Sequence, residues 1–158
     1  MRSLFLGVAC LGVSFSGAFA QSLNAEQAQS IIAGCSAFAL DNGRSHAIAV
    51  YDPGASPIAV LRMNGNSAGA MLFSMEKAKA VAMWGFATSG MEEGVKNTPG
   101  FQYAPGVVTV PGGVPVYSSD GRTFLGAAAA SGEAPANDVA CVEAGIKSAG
   151  FSYVRNRE

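Results

Sequence analysis

The fold is decided by residues 105–132, which read PGVVTVPGGVPVYSSDGRTFLGAAAASG. Short runs of β-branched and aromatic residues alternate here with turns rich in Gly, Pro and Ser, a pattern typical of antiparallel strands. The pattern predicts three strands, at residues 107–110, 114–117 and 124–130. The last strand carries almost no side chains, because Gly126 is followed by four alanines. Such a strand lets a helix, a second subunit or a flat ligand approach its backbone closely.

Helices and a hairpin flank this segment on both sides. The predicted elements are a helix from Asn24 to Gly43, strands at residues 46–51 and 58–63, a helix from about Ser67 to Phe86, a helix beginning at Pro135 and a short strand at residues 151–154. Residues 87–104 lack periodicity and are predicted to form a long loop with one helical turn. The order α-β-β-α-β-β-β-α has no βαβ alternation. It predicts an α+β fold, in which helices cover an antiparallel sheet.

The first twenty residues have the features of a cleaved signal peptide. Arg2 supplies the positive charge, residues 4–13 form a short apolar core, and Ala18-Phe19-Ala20 fits the cleavage pattern. The apolar run is short and interrupted by glycine and serine, so no stable membrane anchor is expected, although a short anchor is the alternative. Cleavage before Gln21 would export a single domain, residues 21–158, to the periplasm or the medium.

Composition excludes several classes of protein. The 158-residue chain has a formal net charge of −1, and 49% of its residues are hydrophobic. A chain with this balance has no basic footprint for nucleic acid, and no nucleic-acid partner is expected. Motifs for dinucleotides, phosphate loops, zinc proteases and serine hydrolases are absent. The low charge and many glycines suggest close packing and buried contacts between subunits.

Cys35 and Cys141 form a candidate disulfide. Each lies in a predicted helix, one near each end of the exported domain, and disulfides persist outside the cytoplasm. A bridge over so long a loop would stabilise the fold by about 4 kcal/mol. Two buried free thiols are the alternative, because cysteine also packs as a small hydrophobic residue.

A few side chains are candidates for binding chemistry. His46, the single histidine, is a possible haem-iron ligand, and Met63 offers a thioether or an apolar wall. Arg62 and Lys77 are cations suited to holding carboxylates, including haem propionates. Each has a structural alternative: an exposed strand entrance, core filling or a solvated surface. Asp52, Asp120 and Asp138 are each expected to accept hydrogen bonds from backbone N–H groups at a turn or helix start.

Several motifs, taken in order, resemble a known family. They are Val50-Tyr51-Asp52-Pro53-Gly54, Arg62-Met63-Asn64-Gly65, Glu76-Lys77-Ala78, Pro111-Gly112-Gly113-Val114-Pro115, Asp120-Gly121, Gly126 through Ser131-Gly132, Asp138 and Ala144-Gly145. The chain resembles the GlcG/HbpS-like haem-binding proteins, which are related to the C-terminal domain of PduO-type cobalamin adenosyltransferases. Two departures stand out: Asn64 replaces the family's usual aspartate, and alanines replace branched residues after Gly126.

The resemblance implies a fold, a ligand and an assembly. The fold would be profilin-like, a five-stranded antiparallel sheet flanked by helices. The protein would be a homo-oligomer that binds a small molecule, with haem or a related tetrapyrrole as the cofactor. The proposed pocket lies between the Arg62 turn with Met63, the Lys77 helix and the strand and loop formed by Gly126, Ser131 and Gly132, with His46 as the possible iron ligand.

Three functions are consistent with these features. The leading hypothesis is an exported, non-catalytic protein that binds haem or a related tetrapyrrole. The second is a small metabolic enzyme or accessory subunit acting on a carboxylate substrate anchored by Arg62 or Lys77. The third is a structural assembly module, in which the alanine strand and the long loop serve packing alone.

Overall fold

A computed structural model describes residues 21–158, so the predicted signal peptide and its Cys10 lie outside the described residues. The elements are α1 (Ala25–Asp41), β1 (Ala47–Tyr51), β2 (Pro57–Arg62), α2 (Ala68–Trp84), α3 (Thr88–Asn97), a 3-10 helix (Pro99–Tyr103), β3 (Gly113–Tyr117), β4 (Phe124–Ser131) and α4 (Pro135–Ser148). The predicted α+β class is confirmed. Within the described part of the chain, no helix is both long enough and apolar enough to cross a membrane.

The four strands form one antiparallel sheet in the order β2-β1-β4-β3. Helices α1 and α4 pack on one face of the sheet, and α2 packs on the other. The two central strands, β1 and β4, are therefore covered on both faces. All five residues of β1 are buried, as are seven of the eight residues of β4.

The alanines of β4 serve both layers of the core. Ala128 and Ala130 belong to the cluster with α1 and α4, whereas Ala127 and Ala129 belong to the cluster with α2. This division follows from the period of two along a strand. The close approach predicted from this strand is made by the helices of the same chain. Gly126 permits a second close approach: its φ is 147°, and a Cβ there would collide with the Tyr51 carbonyl oxygen.

The prediction of five strands is wrong: the structure has four over residues 21–158. Residues 107–110 are not a strand, and the Val107 N–H bonds the Ala104 carbonyl in a turn. Turns and bends on both sides of residues 107–110 keep this run from pairing with a neighbouring strand. The predicted terminal strand contributes a single bridge, in which Ser152 and Tyr117 exchange two backbone hydrogen bonds of 2.7 and 3.2 Å.

The helix boundaries follow local capping chemistry. The Asn24 side chain accepts a 2.8 Å hydrogen bond from the Gln27 N–H, and the Gln27 side chain accepts one of 2.9 Å from the Asn24 N–H. This is the predicted capping box. Helix α2 ends at Gly85 in the left-handed region. The segment predicted as a loop with one helical turn contains the ten-residue helix α3 and the 3-10 helix.

A disulfide between Cys35 and Cys141 joins α1 to α4, with the two Cα atoms 4.7 Å apart. The structure therefore supports the predicted disulfide and not the alternative of two free thiols. The helices cross closely because Gly145 faces α1: a Cβ there would meet the Ile31 carbonyl and lie 3.1 Å from the Cys35 Cβ. Small residues at the crossing bring the two cysteines within bonding reach.

Candidate functional site

The most unusual feature inside the protein is a buried cluster of three ionisable side chains. His46, Lys77 and Asp138 have exposed fractions of 0%, 1% and 2%. Side chains of this kind are seldom fully buried unless they are paired. The cluster is therefore a structural core, a functional site or both.

Asp138 holds the other two side chains through its two carboxylate oxygens. Its Oδ1 lies 3.0 Å from His46 Nδ1, and its Oδ2 accepts a 3.1 Å hydrogen bond from Lys77 Nζ. Lys77 Nζ also donates to the Ala130 carbonyl at 3.1 Å, and the Glu133 N–H donates to Asp138 Oδ1 at 3.2 Å. The buried carboxylate thus has three donors, and the ammonium has two acceptors.

The cluster connects the two helical layers around the end of the sheet. Lys77 comes from α2 on one face, Asp138 comes from the first turn of α4 on the other, and His46 immediately precedes β1. Gly112 leaves room for the contact, because a Cβ there would lie 2.6 Å from Lys77 Nζ and 2.7 Å from the Ala130 oxygen. The ring of Phe73 lies 4.8 Å from Lys77 Nζ and adds a cation–π contact.

The His46 ring leaves one nitrogen without a partner. Its Nε2 is buried and forms no hydrogen bond within residues 21–158. If Nδ1–H donates to Asp138, the neutral ring carries its lone pair at Nε2, the atom that ligates a metal or accepts a proton. Carboxylate support of the opposite nitrogen is the usual arrangement for a metal-ligating histidine. The His46 backbone N–H meets the Met63 Sδ at 3.4 Å.

The structure brings together only part of the predicted pocket. Lys77 and His46 meet through Asp138, and Ser131 and Gly132 follow Ala130 at the same end of β4. A Cβ on Gly132 would contact the Asn66 side chain, so this glycine packs against the turn after β2.

Arg62 and Gly126 lie elsewhere. The Arg62 side chain is exposed, donates to the Asn66 carbonyl and lines an open cleft of 390 Å³ with Met63 and Arg44. Gly126 is near the opposite end of β4 and packs against Tyr51. Within residues 21–158, the predicted residues therefore do not line one cavity.

The sequence predicts that Asp138 accepts backbone N–H hydrogen bonds at the start of a helix. It does accept the Glu133 N–H, but it also organises the whole buried cluster. A sequence signal for this role exists: Asp138 stands at helical spacing with the buried Cys141 and Val142. Lys77 likewise precedes the buried Val81 by four residues in α2. A charge in the apolar stripe of a helix indicates a buried partner.

Several groups outside the cluster have shifted pKa values, among them Asp120 and Lys147. The Ser118 hydroxyl donates a hydrogen bond that lowers the pKa of Asp120, and the Arg122 N–H adds to the effect. A hydrogen bond with Tyr153 raises the pKa of Lys147, whose Nζ lies 5.1 Å from that ring. Residues 21–158 contain no group of three or more His, Cys, Asp or Glu side chains that could hold a metal ion.

Comparison with known proteins gives a consistent result. A family model described as "Haem degrading protein HbpS-like" matches residues 23–147. Protein GlcG of Escherichia coli strain K12 is 38% identical over 95 residues, which is 60% of this chain and 71% of GlcG.

Two solved structures have a similar fold. Protein ORFY of Klebsiella pneumoniae has a TM-score of 0.77 at 18% identity, covering 87% of this chain and 97% of ORFY. The complex of PduOC with haem has a TM-score of 0.74 at 16% identity, covering 85% of this chain and 99% of PduOC.

Proposed function

The chain belongs to the HbpS-like family, and on that premise we propose that it binds haem or a related tetrapyrrole without transforming it. The observation that carries the proposal is the family match, which spans residues 23–147 and so includes all three residues of the buried cluster. The PduOC complex with haem supports it by showing that a protein of this fold can hold the group.

The donor atoms of the buried cluster suit haem iron, but haem cannot reach them in this conformation. The Nδ1 of His46 is held by Asp138 and its Nε2 has no partner, which suits an iron ligand. The imidazole is nevertheless 0% exposed, so the closed chain leaves no room for a tetrapyrrole at that nitrogen. Axial ligation by His46 stays a prediction, and it requires the surrounding elements to open. Bound haem would supply an iron centre with absorbance that responds to its ligands.

Arg62 and Lys77, the two candidate partners of a haem propionate, differ in exposure and in pairing. Arg62 is exposed and donates to the Asn66 carbonyl, and its exposure suits pairing with a propionate, which stays a prediction. Lys77 already pairs with Asp138, so its charge is compensated inside the protein. A carboxylate anchor at Lys77 would have to compete with Asp138 for the ammonium.

Titration of the purified protein with haem tests the proposal. Wild-type residues 21–158 should shift and sharpen the Soret band and saturate near one haem per chain. His46→Asn is the matched variant, because its side-chain amide keeps a donor for Asp138 and removes Nε2. An unshifted wild-type spectrum rejects haem binding, whereas equal spectra for wild type and His46→Asn reject only the ligand assignment.

Haem degradation is the second candidate function, and the description of the matching family favours it. The same titration separates the two activities. A stable Soret band after addition of ascorbate in air supports binding alone, and progressive bleaching beyond that of free haem supports degradation. Retention of the band would also argue against any enzymatic function directed at haem.

We further propose that the protein is exported as a single domain, while the homo-oligomer that the family resemblance implies stays a prediction. The charged, apolar and small-residue regions of residues 1–20 support export. Expression of the full chain in a bacterium with a periplasm should give a periplasmic protein whose intact mass equals that of residues 21–158, the chain that begins at Gln21. A cytoplasmic product that retains Met1–Ala20 would contradict export.

A further inference from the structure

A cleft between the end of α2 and the C-terminal segment combines aromatic rings with arginines. Its volume is 440 Å³, and its walls include Trp84, Phe86, Tyr153, Arg155 and Arg157. It lies apart from the buried cluster, and none of the candidate residues named from the sequence lines it. Aromatic rings beside guanidinium groups are suited to a ligand that is both flat and negatively charged.

The aromatic wall is partly exposed and held in place. Trp84 and Phe86 each have an exposed fraction of 37%, and their rings stand edge to face with centroids 6.5 Å apart. Trp84 Nε1 donates to the Pro105 carbonyl at 3.1 Å. Phe101 stacks on Phe86 at an interplanar angle of 19°. These contacts fix the two rings without covering them.

The arginines are concentrated and unpaired. Residues 21–158 contain nine Lys and Arg, and three of these, Arg122, Arg155 and Arg157, surround a second cleft of 660 Å³ that adjoins the first through two shared arginines. In the described part of the chain, none of the three forms an ion pair. Glu158 lines the second cleft and offsets part of this positive charge.

Backbone hydrogen bonds fix the segment that carries these arginines. Ser152 pairs with Tyr117 of β3, and the Asn156 N–H donates to the Gly121 carbonyl at 2.9 Å. The Gly121 backbone packs against this segment: a Cβ there would lie 2.7 Å from the Val154 carbonyl oxygen. A bend at residues 153–154 precedes the two arginines, and the segment carries Tyr153, Arg155 and Arg157. All three line the aromatic cleft.

We propose that this cleft binds an aromatic anion, with its planar ring system against one of the two nearly perpendicular rings of Trp84 and Phe86 and its acidic group at Arg155 and Arg157. Guanidinium groups pair with carboxylates and sulfonates through charge-assisted hydrogen bonds, and they stack on aromatic faces. Arg155 and Arg157, which form no ion pair within residues 21–158, attract such a ligand and compensate its charge after binding, although Glu158 offsets part of their positive charge. The inference stands on the cleft itself and does not depend on haem binding.

Fluorescence titration with 8-anilinonaphthalene-1-sulfonate, an aromatic anion with a planar naphthalene ring, tests the proposal. The double variant Arg155→Ala/Arg157→Ala should bind this probe about tenfold more weakly than wild type. The matched control is Arg44→Ala/Lys79→Ala, which removes one half-buried and one exposed positive charge elsewhere and should change the affinity less than about twofold. Added salt should weaken probe binding to wild type more than to the Arg155/Arg157 variant.

A third variant tests the aromatic wall. Phe86→Leu keeps an apolar side chain and removes the ring, so it should weaken probe binding about threefold. Thermal unfolding of each variant confirms that it is folded. Equal probe affinity in the Arg155/Arg157 variant and its control would overturn the proposal, as would a wild-type protein that does not bind the probe.

The haem titration on the same variants keeps the two proposals separate. Probe binding that depends on Arg155 and Arg157, without a Soret shift, supports the cleft and rejects haem binding. A Soret shift that persists while probe binding is insensitive to these arginines overturns the cleft and leaves haem binding intact.

Discussion

Replacing Asp138 with Ala should lower the free energy of unfolding by about 3–5 kcal/mol, measured by urea denaturation. The substitution leaves Lys77 as a buried ammonium whose nearest acceptor is the Ala130 carbonyl. It also removes the partner of His46 Nδ1 and the acceptor of the Glu133 N–H. An uncompensated buried charge is among the most destabilising changes that a single substitution can make.

A second variant separates the charge from the packing. Asp138→Leu combined with Lys77→Met removes both charges and keeps apolar volume, so it should be less destabilised than the sum of its two single variants. Asp120→Ala is the matched control, because that carboxylate is exposed and bound only within its own turn. An Asp138→Ala protein as stable as Asp120→Ala would show that the buried pair contributes little.

Replacing Cys35 and Cys141 together with Ala should cost about 4–5 kcal/mol of unfolding free energy. The bridge closes a loop with a sequence separation of 106 residues, and long loops gain most from closure in the chain-entropy account. Both sulfurs lie in the core, where alanine also leaves a small cavity. The expected order of stability is oxidised wild type first, then reduced wild type, then the double variant, which also carries the cavity.

Dithiothreitol provides the internal control for that experiment. It should lower the urea midpoint of wild type and leave the midpoint of the double alanine variant unchanged. A wild-type midpoint that does not respond to the reductant, although free-thiol titration shows full reduction, would contradict a stabilising role for the bridge.

The parts of the fold that sequence alone predicted are those with local causes. The capping box at Asn24 and the Pro135 start of α4 depend on neighbouring residues, and both appear in the structure. The extra strand at residues 107–110 was wrong, because local β propensity does not determine whether a ladder position is available. Helix α3 was underestimated because its two glycines and its charged residues conceal a short amphipathic repeat.

In the candidate site, the residue types could be predicted locally, but the contacts between them could not. Lys77 and His46 were identified by residue type, but their meeting through Asp138 depends on a contact across 61 and 92 residues of sequence. No spacing rule predicts such a contact. The apolar-stripe positions of Lys77 and Asp138 indicate burial, and a search for charges in buried registers would have paired them.

The covalent link between α1 and α4 also determines how the protein responds to tension. A force applied at the two ends of residues 21–158 acts on the segments outside the bridge, while the loop that spans 106 positions carries no load. The fully extended length of the oxidised protein would therefore be about 36 nm shorter than the contour length of the reduced chain. All four strands and the His46–Lys77–Asp138 cluster lie within that loop, so they remain shielded until the bond is reduced. The bridge thus transmits the applied force from α1 to α4 without loading the core.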